Sequence, residues 1–158
     1  MNKNHKIFFL VFSISFILDQ ISKFLVIRFL GKNNSVQFFR YFSLTFVENK
    51  GILFGLLGGA HLTLPIIISG FIVFFVILFY VLRNPDIPKL YQWNLGLIEG
   101  GIAGNIVDRL RFGAVIDFIN FHIWPVFNFA DAFIVLGVIF TIFTQMRCRN
   151  ASCIYQDR

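Results

Sequence analysis

LTLPIIISGFIVFFVILFYVL, residues 62–82, settles what kind of fold this chain can have: 21 consecutive positions carry no charge. As a helix that length spans about 30 Å, the thickness of a bilayer's hydrocarbon core. Pro65 sits in its first turn, where a missing N–H costs little. The surrounding composition agrees. Of 158 residues, 57% are hydrophobic and 14% charged, against about 45–50% and about 25% in soluble domains. A disordered chain and an ordinary soluble domain are both excluded. The 23 Phe residues suit a lipid-facing surface. Fourteen Lys and Arg against eight Asp and Glu give +6. In a soluble protein that excess would suggest nucleic acid. Here the basic residues lie mainly between apolar segments and suit anchoring at anionic head groups, so no nucleic-acid partner is expected.

Three further apolar segments extend the pattern. Residues 7–30 follow a basic start with Lys3 and Lys6. No small-x-small cleavage site follows, and the segment runs past Asp19 and Lys23, as an uncleaved signal anchor does. Residues 93–110 are weaker, with Glu99, Asn105 and Asp108. Gly100 and Gly104 there form a small-xxx-small step for close helix approach. Residues 126–146 are strongly apolar except for Asn128 and Asp131. The expectation is an all-α membrane protein, a four-transmembrane-helix bundle forming one integral membrane domain over 1–158.

Four spans put both termini on one side. Lys3, Lys6, Arg83, Lys89, Arg147, Arg149 and Arg158 then face Arg28, Lys32, Arg40, Lys50, Arg109 and Arg111. Seven against six barely separates the sides; the basic N-terminus ahead of the first span favours cytoplasmic termini. Between the first two spans, Phe42, Leu44 and Phe46 alternate with Ser43, Thr45 and Val47, the period of a strand. Glu48-Asn49-Lys50-Gly51 then reads as a turn. Residues 36–57 are expected to form a small β-hairpin-like platform on the outer surface. Residues 114–124 are apolar but too short to span, a strand or interfacial segment packed on that platform.

No familiar chemistry is announced by motif. Cys148 and Cys153 fit no metal spacing or disulfide framework. His5, His61 and His122 are scattered, and HExxH, GxSxG and phosphate-loop patterns are missing. No metal or cofactor is expected. The acids are more informative, because a charge at mid-bilayer costs roughly 3 kcal/mol or more. Asp19 and Lys23 are spaced to pair on one helix face. Glu99 reads as interfacial, and Asp108 as part of a local network with Arg109 and Asn105. Asp117 and Asp131 have no basic residue at helical spacing. The topology brings them to one membrane level with Asn105, Asn128 and the Asn49-Lys50-Gly51 turn.

Two carboxyls crowded in a poorly hydrated site share a proton. One can then activate water while the other protonates a scissile carbonyl. Position alone leaves this dyad and a proton or ion pathway equally open. A transporter would stagger its acids through the bundle's depth; a non-enzymatic membrane assembly factor is a second alternative. Ser22 and Lys23 are adjacent on a helix and do not face each other, which disfavours a Ser/Lys protease.

Four blocks together resemble lipoprotein signal peptidase (signal peptidase II). Gly100-Gly101-Ile102-Ala103-Gly104-Asn105-Ile106-Val107-Asp108-Arg109, followed by Gly113-Ala114-Val115-Ile116-Asp117-Phe118, is similar to that family's signature. Phe127-Asn128-Phe129-Ala130-Asp131 looks like its last block. Asp19-Gln20-Ile21-Ser22-Lys23 and Asn49-Lys50-Gly51-Ile52-Leu53-Phe54-Gly55 look like the earlier two. Ile52 and Leu53 stand where the family usually has small residues. The resemblance implies an inner-membrane aspartyl endopeptidase that cuts prolipoproteins before a diacylglyceryl-modified cysteine. It implies Asp117 and Asp131 as the catalytic pair. Asn105, Arg109 and Asn128 would lie near the substrate, and Asn49 and Gly51 belong to the hairpin block. Asp19, Lys23 and Asp108 are read as supporting residues. The resemblance further implies four helices with a small periplasmic β-cradle and an extra-membrane helix. Partners would be diacylglyceryl prolipoproteins and membrane lipids, with globomycin as inhibitor. The active site would lie near the periplasmic face.

Overall fold

A computed structural model describes residues 5–32, 34–51 and 63–150. Helix α1 (Lys6–Leu25) continues into a π-helical turn (Val26–Leu30). Strands β1 (Ser35–Phe39) and β2 (Phe42–Asn49) follow, then helices α2 (Thr63–Arg83) and α3 (Lys89–Phe112). Strand β3 (Val115–Asn120) and helix α4 (Phe129–Asn150) complete the described elements.

Helix α3 is the hub, packed by α1, α2 and α4. Its central place explains a sequence that reads as weakly apolar. At 24 residues it is about 36 Å long. Its polar and glycine positions face other helices, while α1, α2 and α4 turn their apolar faces outward. Phe24, Phe75, Val76, Phe79 and Phe143 are among the exposed apolar side chains. Such a surface matches hydrocarbon, not water. Among the described residues, three helical segments are long and apolar enough to cross a membrane: Lys6–Leu30, Thr63–Arg83 and Phe129–Arg147.

The small-xxx-small step does what its spacing suggests. An added Cβ at Gly100 would strike Ser15 Oγ and lie 2.8 Å from the Phe12 carbonyl oxygen. At Gly104 it would strike Asp19 Oδ2 and lie 3.6 Å from Ala130 Cβ. Asp19 is held by several partners and has nowhere to move. Gly104→Ala is therefore expected to cost about 1–3 kcal/mol through overpacking. Thermal unfolding in detergent checks this, and an unchanged midpoint would contradict it.

The sheet is antiparallel in the order β1-β2-β3. Val36 pairs Leu44, Leu44 pairs Ile119, and Val47 pairs Asp117. Its inner face packs Phe46, Ile116 and Phe118 against Val26 in the π-helical turn after α1. The platform's local reading needs correction. The turn lies at Arg40-Tyr41, and Glu48 and Asn49 remain in β2, paired with Ile116 and Val115. The cause is non-local: β3 supplies ladder partners that extend β2 through the expected turn. The part of the platform expected at 52–57 lies outside the described residues.

Candidate active site

Several elements converge at the sheet end of the bundle. From α1 come Asp19, Gln20 and Lys23; from α3, Asn105, Asp108 and Arg109; from β2 and β3, Asn49 and Asp117; from the start of α4, Asn128 and Asp131. Helical spacing puts Asp19 and Lys23 on one face, and their ion pair is 2.8 Å long. Lys23 Nζ also lies 2.8 Å from Asp108 Oδ2 and donates to Asn105 Oδ1 at 3.1 Å. All three ammonium hydrogens thus have acceptors. Asp19, Lys23 and Asp108 are each at most 2% exposed.

This charged knot ties the chain together. Asp19 Oδ1 accepts the Ala130 N–H at 2.9 Å, supplying a partner to a backbone donor in the first turn of α4. Asp108 Oδ2 accepts the Ile116 N–H at 3.2 Å, setting the backbone one residue before Asp117. Asp108 thus pairs with Lys23 across helices, where the local reading expected Arg109 and Asn105. An adjacent residue on a helix points away, whereas α1 runs alongside α3 and offers an ammonium. Gln20, which sequence reasoning passed over, donates to Asp19 Oδ2, Asp108 Oδ1 and the Gly104 carbonyl. A lone amide within an apolar segment was its available signal.

The remaining two carboxyls sit beyond the knot. Asp117 lies in β3 with 1% exposure. Its Oδ1 accepts from Asn128 Nδ2 at 2.6 Å and its Oδ2 from Asn49 Nδ2 at 2.9 Å. Asp131 Oδ1 accepts from Asn105 Nδ2 at 2.9 Å, and the Asp131 N–H donates to Asn128 Oδ1 at 2.9 Å. Asn128 Nδ2 also reaches Asn105 Oδ1 at 3.3 Å, so one amide chain links the two aspartates. Burial first, then the charge of Asp131, push the Asp117 carboxyl up to about 7; the Asn49 and Asn128 donors and the Lys23 charge pull it the other way. Arg109 donates to the Asn105 carbonyl at 3.3 Å and to the Gly51 carbonyl at 3.2 Å. It thereby joins α3 to the segment after β2.

The structure therefore brings together the residues expected at the site: Asn49, Gly51, Asn105, Arg109, Asp117, Asn128 and Asp131, with Asp19, Lys23 and Asp108 beneath them. Glu99 stands apart. It is 1% exposed, and neither carboxyl oxygen has a hydrogen-bond partner among the described residues. On the same helix, Gly96 and Gly100 let α1 approach closely.

The family model for signal peptidase (SPase) II matches residues 11–147. A lipoprotein signal peptidase of Halothermothrix orenii is 38% identical over 135 residues, covering 85% of this chain and 91% of that one. Its counterpart in Caldanaerobacter subterraneus subsp. tengcongensis is 41% identical over 124 residues, covering 77% and 83%. Among solved structures, a bacterial membrane enzyme determined by the in meso method superposes with TM-score 0.80 at 23% identity, covering 96% of this chain and 92% of that one. A second has TM-score 0.76 at 26% identity, covering 87% and 91%.

Proposed function

The chain belongs to the signal peptidase II family, and on that basis we propose that it is a membrane aspartyl endopeptidase. It removes the signal peptide from diacylglyceryl-modified prolipoproteins by cutting before the lipidated cysteine. One observation carries the catalytic type. A single chain of amides joins two carboxyls from different elements, Asp117 and Asp131, in a largely buried site. Two such groups readily share one proton. One can then take a proton from water while the other gives one to the scissile carbonyl.

The remaining residues have roles that follow from their contacts. Asn49, Asn105 and Asn128 orient the carboxyls. Arg109, with Gly51 beside it, is placed to hold a substrate backbone. Asp19, Lys23 and Asp108 fix α1, α3, α4 and β3 with respect to one another. The polypeptide crosses the bacterial inner membrane four times, α3 being the polar fourth span. Both termini are cytoplasmic and the sheet is a periplasmic cradle, a side choice supported by Lys3 and Lys6 ahead of α1. A site at that level reaches a bond near the bilayer surface while the acyl chains stay in lipid.

The test is cleavage by the purified full chain in lipid nanodiscs. A diacylglyceryl prolipoprotein should be cut before its modified cysteine, the unlipidated precursor should be spared, and globomycin should block the reaction. Equal cleavage of the unlipidated precursor would overturn the substrate assignment.

A further inference from the structure

Each asparagine at the site has an amide whose orientation is dictated by a group that can only donate. The Lys23 ammonium claims Asn105 Oδ1, so Asn105 Nδ2 must face Asp131. The Asp131 N–H claims Asn128 Oδ1, so Asn128 Nδ2 must face Asp117. The Gly51 N–H claims Asn49 Oδ1 at 2.9 Å, so Asn49 Nδ2 also faces Asp117. Asp117 thus receives one amide on each oxygen, while Asp131 receives one on Oδ1. Each Asp117 oxygen retains a second lone pair, enough to carry an O–H.

The surroundings of the two carboxyls differ in a way that divides their work. Asp117 is fully buried, and its hydrogen-bond partners are neutral amides. Asp131 is half-buried in the first turn of α4, where the helix end favours a negative charge. The charges facing the pair are Lys23 from α1, Asp108 and Arg109 from α3, and the two aspartates themselves. Arg109 acts more strongly on Asp131 than on Asp117. Two amide hydrogen bonds to an ionised Asp117 are worth about 1.5–3 kcal/mol each. Full burial of a carboxylate shifts such groups by up to about 3–5 pH units, and with the Asp131 charge beside it outweighs those bonds.

Resting on the two-aspartate reading above, we propose that Asp131 is the ionised base of the pair and Asp117 the member that carries the proton, with Asn49 as a positioning residue for that proton. As water oxygen bonds to the scissile carbonyl carbon, Asp131 takes its proton and Asp117 gives its own to the carbonyl oxygen. The C–N bond then breaks as Asp131 passes its proton to the leaving nitrogen and Asp117 recovers one from a hydroxyl of the intermediate. One water is consumed and both carboxyls return to their starting states.

The sign of the pH dependence follows. Asp117 must be protonated, so activity is lost as pH rises through about 7; Asp131 must be ionised, so its titration sets the acid limb. Removing the Asn49 donor destabilises ionised Asp117 and moves its titration upward. Asn49→Ser is the sharper variant: its hydroxyl can still accept the Gly51 N–H but is too short to reach Asp117. The alkaline limb of kcat/KM for the full chain should move up by about one pH unit, with the acid limb unmoved. Movement of the acid limb, or of neither, would overturn the assignment.

Should that variant fail to fold, the carboxylic-acid infrared band provides the reading in the dyad variants at pH 6. Asp131→Asn should retain the band of the pair and Asp117→Asn should lose it; the reverse pattern overturns the assignment. Normal cleavage by either of those variants would instead defeat the two-aspartate reading itself.

Discussion

Asp117→Asn and Asp131→Asn are each expected to lower prolipoprotein cleavage by about 10³-fold or more, in line with loss of a general acid or base. The fold should survive both changes. Asn is nearly isosteric with Asp, and the knot beneath the site does not include either residue. At position 117 the new amide keeps one oxygen for the two donors that now reach Asp117. One hydrogen bond is lost, costing about 1 kcal/mol. Single-turnover cleavage of a diacylglyceryl prolipoprotein, beside thermal unfolding, separates chemistry from stability. A folded variant cutting at the normal rate would remove its residue from the catalytic pair.

The second large effect is on stability. Lys23→Met removes the cation between two buried carboxylates and leaves Asp19 and Asp108 facing each other without a counter-charge. Breaking a buried pair in this way typically costs about 3–5 kcal/mol. The unfolding midpoint in detergent should fall sharply. Asn105 also loses the donor that orients its amide toward Asp131. A triple change, Lys23→Met with Asp19→Asn and Asp108→Asn, separates the two consequences. Stability should largely return once no charge is stranded, because neutral side chains still accept the Ala130 and Ile116 N–H groups. Cleavage should stay low, since Asn105 Oδ1 loses the ammonium donor and keeps only the longer bond from Asn128. A wild-type midpoint for Lys23→Met alone would show that the knot does not hold the bundle.

Glu99 and Asp108 show where one-dimensional reasoning stops. Both are acids on α3, nine positions apart. Local spacing offers Asp108 a network on its own helix and places Glu99 near an interface. In the folded protein Asp108 meets a lysine from another helix, and Glu99 is enclosed. Neither outcome is encoded by spacing along α3. The Asp108 pairing depends on which face α1 covers, and glycines at that contact let it come close.

Composition and local spacing were enough to specify three long apolar helices, the Asp19–Lys23 pairing, the small-residue step on α3 and the set of polar residues drawn to one end. These follow from the 3.6-residue helical repeat and from runs of apolar side chains, which need no partner to be read. The packed chain settles what remains. There, β3 extends β2 past the expected turn, Lys23 bridges two helices, and the amides of Asn49, Asn105 and Asn128 turn toward Asp117 and Asp131. Those contacts join residues far apart in the chain. Only close packing, with its demand that every buried donor find an acceptor, selects them.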